Sequence, residues 1–105
     1  MVKIYLDDWR QPFDSSWLVA TTAKQCISLL EEYKNEVSML SLDHDLGPEI
    51  TCGNGYDVLV WIENKINQDQ SYNAPTWIGI HTANPVAKER MRLAVLSIKN
   101  IMKSR

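Results

Sequence analysis

The segment VSMLSLDHD, residues 37–45, is an apolar run of strand length that ends in a carboxylate, an imidazole and a second carboxylate. Val37, Met39, Leu40 and Leu42 mark a buried strand, so Asp43, His44 and Asp45 emerge at its carboxyl end. The chain opens in the same manner, with Val2, Ile4 and Leu6 closing on Asp7 and Asp8. Short apolar runs alternating with helical patterns imply βα units and a parallel sheet, and such sheets place their ligands outside the carboxyl ends of the strands. Four carboxylates and an imidazole are therefore expected to meet at one sheet edge.

The rest of the chain supplies the remaining elements. Trp9-Arg10-Gln11-Pro12 breaks the first pattern, and a short second strand is expected over residues 17–21. Ala23, Cys26, Ile27, Leu30 and Tyr33 fall at helical spacing after Thr22. Residues 46–54 contain Gly47, Pro48 and Gly53 and read as a loop beside the acidic edge. A helix follows over residues 56–66, then a polar connection, then a fourth strand over residues 76–80 that delivers His81-Thr82-Ala83-Asn84-Pro85 to the same edge. Asn84 as N-cap with Pro85 at the first helical position starts a last helix, whose stripe is Ala87, Met91, Ala94, Val95, Ile98 and Met102. The expected fold is α/β, a small open parallel four-stranded sheet in the order 2-1-3-4, forming one domain over residues 1–105.

Composition narrows the function classes. A net charge of −2 without a basic tail argues against broad binding to duplex DNA, leaving a small nucleotide or an RNA end as the nucleic-acid partner. Cys26 lies on an apolar helix face and Cys52 in a glycine-flanked loop, so neither a disulfide framework nor a cysteine metal site is expected. With no signal peptide and no apolar run of membrane-spanning length, the expected setting is the reducing cytoplasm, away from membranes.

Clustered carboxylates raise one another's pKa unless a cation or a basic group neutralises them. Hard oxygen donors suit Mg²⁺, Mn²⁺ or Ca²⁺; Mg²⁺ commonly combines one or two carboxylates with waters and phosphate oxygens, and Mg²⁺ or Mn²⁺ is the expected cofactor. The expected metal ligands are Asp7, Asp8, Asp43 and Asp45, with Asp45 alternatively orienting a histidine. Apo-state repulsion would then make Asp7→Asn or Asp8→Asn stabilising. The only histidines, His44 and His81, both follow strands and are expected to exchange protons while carrying little of the core. Thr82 and Asn84 offer neutral hydrogen bonds to a phosphate, and Arg10 either grips it through its planar fork or pairs with a neighbouring aspartate. Asp14 reads as an ordinary turn residue. Of the four tryptophans, three read as packing and Trp9, next to the acidic pair, as a surface for stacking a base or sugar.

Asp7-Asp8, Asp43 and Thr82-Ala83 resemble the active-site positions of response-regulator receiver domains. A closer resemblance is to cyclic-phosphate-processing receiver-like domains. It is carried by Leu6-Asp7-Asp8 with Arg10 and Pro12, Ser41-Leu42-Asp43-His44-Asp45-Leu46-Gly47, Gly55-Tyr56-Asp57 with Trp61, and His81-Thr82-Ala83-Asn84-Pro85 with Met91. The resemblance implies a flavodoxin-like receiver fold, a divalent cation and action on a cyclic or terminal phosphate of a nucleotide or RNA end. The fifth strand of an ordinary receiver, with its terminal lysine, is missing: neither Lys88 nor Lys99 follows a strand. Two other readings stand beside this one, a signalling domain phosphorylated on Asp43 and a non-catalytic binding or inhibitor protein with a protein partner.

Overall fold

A computed structural model describes residues 1–105. Strand β1 (Val2–Leu6) is flanked by β2 (Trp17–Ala20) on one side and by β3 (Val37–Leu42) on the other, with β4 (Trp77–Ile80) beyond β3. All pairs are parallel and the order is 2-1-3-4, as the crossover argument requires. Leu6, Leu42 and Ile80 stand in register, which brings Asp7, Asp43 and His81 out side by side. The ladder reaches one residue further, since the Asp43 and His81 N–H groups donate to the Leu6 and Leu42 carbonyls.

The helices start where their caps dictate. Thr22 accepts from the Gln25 N–H at the head of α1 (Ala23–Glu32). The segment read as a loop over residues 46–54 contains a single helical turn, α2 (Glu49–Cys52), which ends at Gly53 with φ +67°. Cys52 therefore belongs to that turn, and both cysteines are free thiols. Asn54 and Asp57 form a reciprocal capping box, so α3 (Gly55–Gln68) begins one residue earlier than the apolar pattern indicates. Asn84 and Pro85 open α4 (Pro85–Lys103) as expected. No helix is long and apolar enough to cross a membrane.

Alternation along the strands sorts the sheet into two unlike faces. Ile4, Leu6, Leu40, Leu42 and Ile78 belong to one core cluster with Leu30 of α1, Leu59 and Ile62 of α3, and Met91 and Ile98 of α4. The opposite face carries Lys3, Tyr5, Trp17, Val19, Met39, Ser41, Trp77 and Gly79, none of which joins that cluster. Handedness explains the imbalance. The steps β2 to β3 and β3 to β4 run in one direction across the sheet and put α1 and α3 on one face, whereas β1 to β2 runs the other way. Its connection, residues 7–16, contains no helix.

Candidate functional site

The register of β1, β3 and β4 builds the site from side chains far apart in sequence. Asp7, Asp8 and Asp43 present carboxylate oxygens within 4.8 Å of one another. Asp7 and Asp43 are buried and Asp8 is exposed. Asp7 Oδ1 accepts from the backbone N–H groups of Trp9 and Arg10, both at 2.9 Å, in a turn that folds the chain back at the strand end. Asp7 Oδ2 lies 2.9 Å from His81 Nε2 and 3.0 Å from Arg10 Nε. Burial pushes the Asp7 carboxyl up, but the two backbone N–H groups, the His81 ring and the Arg10 charge outweigh it and hold the group below its ordinary range.

Arg10 bridges the cluster, its Nη2 lying 3.3 Å from Asp43 Oδ1. The pairing with neighbouring aspartates is thus present: Arg10 neutralises Asp7 and Asp43 while its side chain stays 39% exposed to solvent. Its buried Nε is close to Asp7 but lacks hydrogen-bond geometry, so charge rather than a directional bond keeps it there. Asp43 Oδ1 also accepts from the His44 N–H at 2.8 Å, while Asp43 Oδ2 and both Asp8 oxygens make no hydrogen bond.

The donor set fits a hard divalent cation. Asp8 and Asp43 have uncommitted oxygens, and Asp7 becomes a ligand only if Arg10 or His81 releases Oδ2. The Asp45 carboxylate is not among the three grouped oxygens; it accepts from His44 Nδ1 at 2.7 Å, which corresponds to the orienting role.

His81 is gripped from three directions. Nε2 faces Asp7, Nδ1 lies 2.8 Å from the Ser41 hydroxyl, and the ring stacks on Tyr5 with centroids 4.5 Å apart and planes 6° apart. Burial lowers its pKa, against the opposing pull of Asp7. With Asp7 ionised, these partners assign the neutral tautomer as Nε2–H donating to the carboxylate and Nδ1 accepting from Ser41. His44 is 9% exposed, so the expectation that strand-end histidines carry little of the interior fails for it. The strand's extension is covered by α3: Gly55 N–H donates to the His44 carbonyl, and Asp45 bridges to Asn54.

Thr82 is buried and accepts from the Asn84 N–H, and Asn84 Oδ1 accepts from the Ala87 N–H as the α4 cap. Neither side chain hydrogen-bonds to the acidic network, and Asn84 keeps only its amide N–H groups for a ligand. Trp9 is 82% exposed beside Asp8.

Three contributors lay outside the residue-type reading. Ser41 anchors His81, Tyr5 backs it, and Gly55 lets α3 approach β3, since a Cβ there would come within 1.9 Å of the Asp43 carbonyl oxygen. Alternation along β1 and β3 could have flagged Tyr5 and Ser41 as sharing a face with Asp7 and Asp43; nothing in the local sequence signals the Gly55 contact. A concavity of about 550 Å³ opens at the other end of the sheet between Met1, Ile78, Ile98 and Met102. It is lined by no carboxylate or imidazole and carries none of this chemistry.

Searches of curated proteins and of solved structures each found no match. A family model described as the cyclic-phosphate processing receiver domain matches residues 2–97. With the parallel 2-1-3-4 sheet and the acidic and histidine groups at its carboxyl edge, that match over most of the chain makes this protein a member of the cyclic-phosphate processing receiver domain family.

Proposed function

We propose that this domain hydrolyses a cyclic phosphate carried by a nucleotide or an RNA end, with a divalent cation, Mg²⁺ or Mn²⁺, held by Asp8 and Asp43 and, after rearrangement, Asp7. The observation that carries the reading is the convergence of Arg10 and His81 on Asp7 Oδ2 beside two carboxylates with free oxygens. An arginine 39% open to solvent and an imidazole N–H aimed at the same point suit a phosphate, which offers oxygens to both. A cation bound there supplies Lewis-acid polarisation of a phosphoryl oxygen.

Hydrolysis adds a water oxygen to phosphorus while one ring P–O bond breaks. The water proton goes to a base, and the departing ribose oxygen takes a proton from an acid. His44 suits the base: Asp45 holds its Nδ1–H, leaving Nε2 without a protein partner. His81 suits the acid once Nδ1 is protonated and the Ser41 hydroxyl turns to accept. Arg10 orients the phosphate, and the Asn84 amide adds a neutral donor.

The phosphoacceptor alternative gains nothing from lysine placement. Lys88 lies within the first turns of α4, and Lys99 lines the concavity at the far end of the sheet. The test is a product assay on adenosine 2′,3′-cyclic phosphate, cyclic dinucleotides and RNA ending in a 2′,3′-cyclic phosphate, with and without Mg²⁺ or Mn²⁺. Metal-dependent ring opening abolished by Asp43→Asn is expected; no turnover of any of these substrates would reject the hydrolytic reading.

A further inference from the structure

The uncovered sheet face continues directly from the candidate site, and its rings form a row. His81 stacks on Tyr5, and Tyr5 meets Trp17 edge to face with centroids 5.9 Å apart. On the neighbouring side of this face, the six-membered ring of Trp77 lies over Gly79: a Cβ at that glycine would come within 2.0 Å of the indole. Trp77 is nevertheless 46% exposed, so the indole is held in place and open to solvent at once. Glycine at position 79 is what allows an aromatic surface to lie close to the backbone there.

The spacing matters. Gly79 precedes His81 by two residues on the same face, about 7 Å of strand, so the indole seated over Gly79 lies back from the acidic edge on the face that the site opens onto. That length is the reach of a ribose between a phosphate at the acidic edge and a base on the sheet. The face offers Lys3 as its cation and no carboxylate from any strand, in contrast to the acidic edge. A planar, uncharged heterocycle fits it better than a basic peptide.

We infer that Trp77, seated over Gly79 on the open face of the sheet, is the stacking platform for the nucleobase of the ligand whose phosphate enters the Asp43–His81 edge. The inference rests on the phosphate reading above and adds where the base of that nucleotide or RNA end is held and that the base contributes to binding. Stacking tolerates all bases, so discrimination among adenine, guanine, cytosine and uracil should be slight.

The experiment is a calorimetric or fluorescence titration of the intact chain with three probes: adenosine 2′,3′-cyclic phosphate, the corresponding ribose cyclic phosphate lacking a base, and adenosine. Wild type should bind the nucleotide roughly 5- to 150-fold more tightly than the abasic probe, the range that stacking of one base on an aromatic ring spans. Trp77→Ala should abolish that ratio while leaving affinity for the abasic probe unchanged. Gly79→Ala, which displaces the indole without removing it, should reduce the ratio in the same direction. An unchanged ratio in Trp77→Ala, or its loss in Trp9→Ala instead, overturns the assignment while the phosphate reading survives. Adenosine binding as tightly as the nucleotide supports the platform and rejects the phosphate site; no binding of any probe rejects both. Self-association of wild type that Trp77→Ala abolishes would give the face to a second copy and overturn the proposal.

Discussion

Neutralising Asp7 and neutralising Asp8 are nearly the same change in sequence, and the structure gives them opposite consequences. Asp8 is exposed and has no hydrogen-bond partner, so Asp8→Asn removes one member of a repelling group and leaves stability within about 0.5 kcal/mol, on the favourable side if anything. Asp7 is 2% exposed, accepts from His81 and two backbone N–H groups, and pairs by charge with Arg10. Asn can still accept from the two N–H groups, but its amide then faces the His81 and Arg10 donors. A hydrogen bond to a charged group is worth about 1.5 kcal/mol at the low end, which is taken for His81. The Arg10 contact, partly screened by solvent, adds about 0.5 kcal/mol. Asp7→Asn should therefore cost about 2 kcal/mol, or about 8–15 °C in Tm for a chain of this size. Urea unfolding at pH 7 in the presence of a chelator, followed by far-UV circular dichroism, measures it. Because the folded-state pKa of Asp7 is depressed, its contribution is present above the unfolded value of about 3.9 and lost as pH falls through the folded value. The gap between wild type and Asp7→Asn should thus hold from pH 7 to about 5 and close below about 4. An Asp7→Asn variant as stable as wild type at pH 7 would refute this, showing that repulsion among the carboxylates offsets their neutralisation by Arg10 and His81.

His81→Gln should lower turnover on a cyclic-phosphate substrate by roughly 10²-fold or more in an initial-rate assay. The folded-state pKa of His81 is depressed, so wild type should lose stability as pH falls from about 6.5 toward that lower value, because the unfolded chain takes up the proton first; urea midpoints between pH 7.5 and 5 should show this loss in wild type and not in His81→Gln. Gly55→Ala, whose Cβ meets the Asp43 carbonyl, should cost about 1–3 kcal/mol and weaken ligand binding as α3 is pushed away from β3, and a wild-type urea midpoint would contradict this. Mg²⁺ or Mn²⁺ should raise the wild-type Tm and do so less for Asp8→Asn and Asp43→Asn, whereas absence of any shift in wild type removes the cation from the proposal. Incubation with small phosphodonors and Mg²⁺ should leave no phosphoryl adduct on Asp43 by intact mass; a stoichiometric adduct would favour the signalling alternative.

Much of this architecture was written in short-range patterns. Apolar runs ending at Leu6, Leu42 and Ile80 locate the strand ends whatever the rest of the chain does, and the handedness of crossovers then places those ends at one edge. Asp7, Asp43 and His81 follow the runs directly, so their convergence was legible before any coordinates. Caps work the same way: Asn84 and Pro85 act within one turn, and the start of α4 was read correctly from them. The single turn of α2 escaped because glycine and proline around it signal a loop, and four residues carry too little periodicity to answer.

The amino-acid sequence by itself determined which chemical groups reach the edge, because the order of strands and the identity of the residues after them are local properties joined by one chirality rule. Only the tertiary structure decided what those groups do to one another. That Arg10 neutralises Asp7 and Asp43, that Asp45 turns to His44, and that Ser41 and Tyr5 fix His81 depend on strand register and on side-chain directions a few ångströms across. The bare aromatic face is also a tertiary result, since it arises from where the helices pack and from what the residue 7–16 connection leaves uncovered. Electrostatic and hydrogen-bond energies fall away within such distances, so a list of residues cannot fix them and a packed sheet can.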